Sequence, residues 1–327
     1  MKRATFILSR FGQTLLVLLV VATLLFLIFR LMPGNPLVAY LDPTFTEEMA
    51  QTLRRQFGLD QPLHLQYVAY LRNVLRGEFG NSFFTREPVN EVIWSVLPNT
   101  MLLTLASLVL AYVVGVLGGA LLAARRGSWI EHWGIPAVLA TRAAPEFWVG
   151  MLALAIFSFS LNWFPFGGAT SPGSVFSSMW AQIFSLDFLH HLALPALTLA
   201  LYLQGLPTLL MRNSMLEVMD EDFITFCRMR GLPERTIVLR HAARNALLPV
   251  VTAFALGIGY SIGGNVIIET VFSWPGLGRT LVRAVAAKDY PVAQAAFLMI
   301  AVVMIGMNFA ADLLYSLLDP RVSRERR

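Results

Sequence analysis

The chain has 327 residues, of which 56% are hydrophobic and only 14% charged, and its formal net charge is +5. Soluble globular chains carry roughly 45–50% apolar and about 25% charged residues, so this composition excludes a soluble enzyme, a disordered tail and a nucleic-acid-binding module. The counting unit is therefore the membrane span of about 20 apolar residues, not the soluble domain.

Six apolar runs are long enough to cross as helices: Phe11 to Phe29, Met101 to Ala124, Phe147 to Phe166, His190 to Met211, Leu247 to Ile268 and Ala295 to Leu317. The first follows Lys2, Arg3 and Arg10 and continues without a small-residue cleavage site, so it reads as an uncleaved anchor. The third has the least definite start, because Trp133 to Ala140 is also apolar but Arg142, Pro145 and Glu146 interrupt it. Positive charge sorts the loops. It gathers at the amino end, at Arg125, Arg126 and Arg142, between Arg212 and Arg244, and from Arg321 to Arg327, whereas Gly167 to Leu189 has neither Lys nor Arg. The positive-inside rule then gives an all-α, polytopic membrane protein with six transmembrane helices and both termini cytoplasmic. Arg279, Arg283 and Lys288 in the Asn265 to Gln294 loop dissent.

No linker divides the chain, so residues 1–327 read as one transmembrane domain with a structured external loop, 32–98, and a cytoplasmic loop, 213–245. In the external loop, Thr44 and Glu47 form a capping-box pattern and Gly58 suits a helix end. Pro62 to Leu75 is an amphipathic helix stopping at Gly77, with Leu63, Tyr67, Tyr70, Leu71, Val74 and Leu75 at helical spacing. It reads as a lid helix packed on the membrane domain.

The segment Asn213 to Asn245 is the most informative. Leu216, Met219, Phe223 and Phe226 step by three and four, which places one apolar face on a helix running to Arg230, while Glu217, Asp220, Glu221 and Asp222 occupy the polar side. Gly231 suits a left-handed cap and Pro233 the first position of a following helix that carries Arg235, Arg240 and Arg244. Such a helix either docks its aromatic face in a cytosolic partner's groove or lies on the inner leaflet. Periodicity does not choose between them.

No catalytic motif is present, and an intramembrane enzyme, which needs paired polar groups inside the bilayer, is the weaker alternative to a transport protein. A phosphate-binding loop needs Gly-Lys-Ser/Thr, and the two lysines, Lys2 and Lys288, lack that context. The single cysteine, Cys227, excludes an internal disulfide and a multi-cysteine metal site. Adjacent His190 and His191 point about 100° apart on a helix and read as interfacial side chains, not metal ligands. Glu269 and Asp312 sit in or beside spans, where each is either a proton-relay group of a secondary carrier or a structural partner. Gly263, Gly264 and Asn265 either line a passage or pack helices. The aromatic turn around Trp274 is either a gate or part of the interfacial belt.

The run Asp222-Phe-Ile-Thr-Phe-Cys-Arg-Met-Arg-Gly231-Leu-Pro-Glu-Arg, followed by Arg240-His-Ala-Ala-Arg-Asn245-Ala-Leu-Leu-Pro249, resembles the coupling loop of ATP-binding cassette importer permeases. The likeness is to the first-subunit type of the dipeptide, oligopeptide and nickel permeases, and it covers nearly the whole chain. It includes Arg30-Leu-Met-Pro-Gly-Asn-Pro36, Gly77-Glu-Phe-Gly-Asn-Ser82, Leu97-Pro-Asn-Thr100, Glu269-Thr-Val-Phe-Ser-Trp-Pro-Gly-Leu-Gly278, Asp289-Tyr-Pro291 and Leu318-Asp-Pro-Arg321. The chain departs from the family pattern in three places: Thr225 and Phe226 replace Glu-Ala, Cys227 replaces a small alanine, and Asn35 replaces a common aspartate.

The resemblance implies an inner-membrane permease subunit, itself not an enzyme, that couples transport to ATPase subunits through Asp222, Phe223, Thr225, Phe226, Cys227, Arg228 and Gly231. Gly263, Gly264, Asn265 and Trp274 are candidates for the path or gate. The chain itself holds no cofactor or metal; ATP and Mg belong to two cytosolic ATPase subunits. The further implied partners are a second homologous permease subunit, an extracytoplasmic substrate-binding protein and the lipid membrane, with no nucleic acid. Short peptides are the implied substrates, with nickel chelates, glutathione-like peptides or oligosaccharides as alternatives.

Overall fold

A computed structural model describes residues 2–31, 61–261 and 265–318 of the chain. The expectations at Asn35, Thr44, Glu47, Gly58, Gly263, Gly264 and Arg321 lie outside the described residues.

The described chain is helical. Five helices are long and apolar enough to cross a membrane: Ile7–Leu31, Val89–Ala124, Leu186–Leu203, Glu234–Ile258 and Tyr290–Leu313. A bent pair, Trp129–Ala143 with Glu146–Ser160, which meet at 99°, passes the same test when taken together and is the sixth candidate among the described residues. The bend falls on the interruption visible in the sequence. Ala144 is extended, as a residue before proline prefers to be, and Pro145 caps the next helix with φ −60°.

In chain order the helices are α1 (Lys2–Leu31), α2 (Leu63–Arg76), α3 (Val89–Ala124), α4 (Trp129–Ala143), α5 (Glu146–Ala153, extended by a π-turned stretch Leu154–Ser160), α6 (Met179–Ile183), α7 (Leu186–Leu203), α8 (Gly205–Met219), α9 (Asp222–Met229) and α10 (Glu234–Thr236). A second π-turned stretch, Ile237–Ala242, leads into α11 (Ala243–Ser261), which is followed by α12 (Val266–Val271), α13 (Leu277–Ala286) and α14 (Tyr290–Leu318). One expected boundary moves: the fourth run divides at Gln204 into α7 and α8. In the fifth run the described helices are Ala243–Ser261 and Val266–Val271.

The chain forms two compact units, residues 1–100 with 275–309 and residues 101–274 with 310–327. In the first, α2 lies against α1 as the lid expected from its spacing. The hydroxyls of Tyr67 and Thr23 are 2.7 Å apart, and the Tyr67 and Tyr70 rings sit 5.2 and 5.5 Å from Phe26. Leu63 and Leu75, expected on that apolar face, are exposed. Gly77 ends the helix at φ +70°. The core of this unit joins Val89, Ile93 and Leu97 to Leu277, Leu281 and Ala296. Asn99 donates to the Pro275 carbonyl at 2.9 Å, and Thr100 Oγ accepts the Leu277 N–H at 2.7 Å. Two of the family-like motifs, Leu97-Pro-Asn-Thr100 and the Pro-Gly-Leu turn, are thus halves of one junction. The charges that dissented from the loop rule belong to the amphipathic helix α13 and its exit turn, where Arg283 and Lys288 are exposed.

The second unit has two cores. One gathers Leu103, Phe188, Leu192, Ile268, Phe272 and Trp274; the other gathers Met211, Met215, Ile224, Cys227, Ile237, Ala242 and Val250. The second core carries the coupling segment.

Candidate functional site: the coupling segment

α8 ends at Met219 and α9 begins at Asp222, with Glu221 extended between them at the N-cap. The single Leu216 to Arg230 helix expected from periodicity is therefore two helices. Three successive acidic residues account for the break. Asp competes locally for backbone hydrogen bonds and favours turns, and Asp222 in the first turn of α9 complements the positive end of the new helix dipole.

The far end of α9 behaves as expected. Gly231 takes φ +73°, its N–H donates to the Arg228 carbonyl at 2.9 Å, and the Leu232 N–H donates to the Cys227 carbonyl at 3.3 Å. This pattern is a Schellman close, which only a glycine makes without strain. Pro233 sits at the N-cap of α10, one position before the expected first turn. Across the turn, Arg228 donates to Glu234 at 3.1 Å. That hydrogen bond and the charge of Glu234 push the Arg228 pKa up. Being exposed, the pair orients more than it stabilises.

The two apolar stripes of α9 part company. Ile224 is fully buried and Cys227 nearly so, both packed in the core with Met211, Met215 and Ile237. Burying a side chain such as Ile224 contributes about 1.5–3 kcal/mol, which anchors the helix. Phe223, Phe226 and Met229 lie on the outer side at 39%, 61% and 79% exposure, and the Arg230 guanidinium covers one face of Phe226 at 5.9 Å. Asp222 and Thr225 are also exposed. Cys227, taken with the coupling residues on resemblance, faces the chain's own core. A small side chain suffices there, which explains why the position is compatible with alanine.

Sequence reasoning missed how α8 is held. Glu131 accepts from Arg212 Nε at 2.9 Å and from Arg212 Nη2 at 2.5 Å through one oxygen, and from the Gly127 N–H at 2.6 Å through the other. Gly115 and Gly119 of α3 let the α8 backbone come close. A Cβ at Gly119 would lie 2.4 Å from the Thr208 carbonyl oxygen, and one at Gly115 would lie 2.7 Å from the Pro207 ring. The small-x-x-x-small spacing of those glycines was the available signal. The Glu131–Arg212 pair had none, since its partners are 81 residues apart.

The path candidates are placed inside. Asn265 is buried and donates through Nδ2 to the Thr104 hydroxyl, and Trp274 is fully enclosed with its ring 5.4 Å from Phe188. Both brace the second unit. His190 donates to the Trp163 carbonyl at 2.7 Å and His191 to the Asp187 carbonyl at 2.8 Å, so the adjacent histidines serve separate partners. Glu269 is fully buried on α12, and Asp312 lies partly buried on α14.

Known proteins resemble this chain in sequence over nearly its whole length. The oligopeptide transport system permease protein AppB of Bacillus subtilis is 37% identical over 98% of this chain and 99% of its own length. The glutathione transport system permease protein GsiC of Salmonella typhimurium is 37% identical over 97% and 98%. The di/tripeptide transport system permease protein DppB of Pseudomonas aeruginosa is 36% identical over 98% and 99%. Residues 3–104 match the family described as the N-terminal part of the binding-protein-dependent transport system membrane component. With residues 115–324 matching the second family description, and with several apolar helices to hold it in the bilayer, the chain belongs to the inner membrane components of binding-protein-dependent transport systems, the permease subunits of ATP-binding cassette importers.

Proposed function

We propose that this chain forms half of the translocation path of an importer for short peptides and pairs with a second, homologous permease subunit. Two cytosolic ATPase subunits bind ATP and Mg and perform the hydrolysis, and an extracytoplasmic binding protein delivers the substrate. The names of the relatives AppB and DppB support the peptide class. GsiC supports glutathione-like peptides as the second reading.

One observation carries the coupling role: α9 is anchored on one side by Ile224 and Cys227 and presents Phe223, Phe226 and Met229 outward on the other. Three exposed large apolar side chains on a short helix, rimmed by Arg228 and Arg230, suit a groove on a partner. The same helix is joined by short turns to elements that lead into the candidate spans. α8 is clamped to α3 and α4, and α10 runs through the π-turned stretch into α11. ATP closes the two ATPase subunits, α9 moves with them, and the spans exchange outward-facing for inward-facing access. ATP shifts that equilibrium only through its different affinity for the two states.

The test replaces Phe223 and Phe226 by Ala in the complete transporter reconstituted in proteoliposomes. Uptake is expected to fall at least tenfold, since buried aromatic anchors at interfaces are worth about 2 kcal/mol or more each. Ile224 and Cys227 are untouched, so the chain keeps its fold. Normal peptide uptake in the double variant refutes the docking role, and uptake that follows the proton gradient and ignores ATP refutes the importer.

A further inference from the structure

Immediately before α3, at the end of that helix away from Arg125 and Arg126, the first unit holds a short turn with unusual firmness. Asp289, 4% exposed, accepts three bonds: from the Ser82 hydroxyl at 2.5 Å, the Phe83 N–H at 3.0 Å and the Phe84 N–H at 3.3 Å. The Ser82 hydroxyl oxygen in turn accepts the Thr85 N–H at 2.9 Å. The neck of the turn is closed by the Ser82 N–H on the Glu87 carbonyl at 2.9 Å, the Val89 N–H on the Gly80 carbonyl at 3.0 Å and a bridge between Asn81 and Pro88. Arg86 is held at φ +61°. For a non-glycine residue this is a strained conformation, and such strain persists where the surroundings impose it, commonly at sites that bind or switch.

What this network displays is a phenylalanine. Phe84 stands 78% exposed at the tip, beside exposed Thr85, Arg86 and Glu87. It is not placed to dissolve in lipid tails. Helix α3 starts at Val89 directly after the turn, whereas its long apolar run begins only at Met101, so about three turns of helix separate Phe84 from that run. A buried carboxylate thus holds an exposed apolar ring in place, an arrangement that suits contact with a partner. The family is described as binding-protein-dependent, and the positive-inside reading puts this end of α3 on the outer side, from which such a protein would approach.

We propose that the turn 83–87 is a preformed docking element for the extracytoplasmic substrate-binding protein, with Phe84 as its anchor and Asp289 as the positioning residue that holds it. The matching surface is an apolar depression that takes the ring, with an acidic rim toward Arg86. Preorganisation lowers the ordering cost of association, so the clasp contributes affinity without touching the partner. The inference rests on the reading that a binding protein activates this transporter, and one titration separates the two.

The complete transporter is placed in nanodiscs and its ATPase is followed while substrate-loaded binding protein is titrated in. F84A is expected to raise the half-saturating concentration about tenfold or more, with turnover recovered at saturation. F84W is expected to stay near wild type. D289N is expected to raise the half-saturating concentration as well, but to add little when combined with F84A, because Asp289 acts through the ring. Superimposable F84A and wild-type curves overturn the docking element, as does a loss of maximum turnover without a change in half-saturation. If the wild-type transporter itself is not stimulated, the functional reading fails and takes the docking with it.

Discussion

Alanine at Gly119 and alanine at Gly118 should differ sharply although the residues are neighbours on one helix. Within a helix, alanine is favoured over glycine by about 1 kcal/mol, so both changes carry the same local gain. At Gly118 the added carbon finds only Thr208 Cγ2, at 3.8 Å, which is ordinary contact. At Gly119 it meets the Thr208 carbonyl oxygen at 2.4 Å, Met211 Cβ at 2.8 Å and the Arg212 nitrogen at 3.0 Å. Two of these atoms are backbone and cannot rotate away, so α8 must retreat by about 1 Å to reach van der Waals distance. Overpacking of this kind costs about 1–3 kcal/mol. Since the propensity term cancels between the two variants, that range is the expected stability difference, with G119A the weaker. Denaturant or thermal unfolding of the purified protein in one detergent, followed by circular dichroism, measures it. Equal stabilities would refute the close crossing of α3 and α8. Because α8 leads directly into α9, G119A should also lower uptake per ATP hydrolysed, and G118A should not.

Three further outcomes are expected. Removing either member of the Glu131–Arg212 pair should lower uptake per ATP severalfold, and E131A/R212A together should be no worse than the worse single change, since both remove the same link between α4 and α8; additive losses would show that the residues act separately. T100V should destabilise the first unit by about 1–3 kcal/mol by leaving the buried Leu277 N–H without its acceptor, whereas T100S should retain most of the stability in the same unfolding assay. The double change of Phe223 and Phe226 should uncouple ATP hydrolysis from uptake, as measured by comparing the two rates in one proteoliposome preparation.

The coupling segment shows how far a sequence can be read. Its caps were legible: Gly231 needs only its own backbone and two nearby carbonyls to close the helix, and Asp222 needs only the end of a helix. The direction of its faces was not. Phe223 and Phe226 form one apolar stripe, Ile224 and Cys227 another, and nothing within the segment says which is inside. The answer comes from Met211, Met215 and Ile237, which take the second stripe and leave the first exposed. For the same reason, Leu216 and Met219 were placed on the aromatic face when in fact they end a separate helix. Asn265 and Trp274 show a second limit of local reading: their partners Thr104 and Phe188 lie far away in sequence, so only the fold reveals the hydrogen bond of one and the ring contact of the other.

Composition and local order alone determined that this chain is an all-helical, polytopic membrane protein, where its candidate spans lie and where one of them breaks. Each of these depends on transfer of about 20 consecutive side chains into hydrocarbon, on counted charges or on backbone preferences within a turn. Tertiary structure decided the rest: that Glu131 holds Arg212 from 81 positions away, that Thr100 caps the Leu277 turn from 177 away, and that Asp289 holds the Ser82 turn from 207 away. Those pairings depend on which surfaces the packed spans bring together. A single sequence does not contain that information locally, because a carboxylate or hydroxyl has many chemically equivalent partners and only the fold selects one.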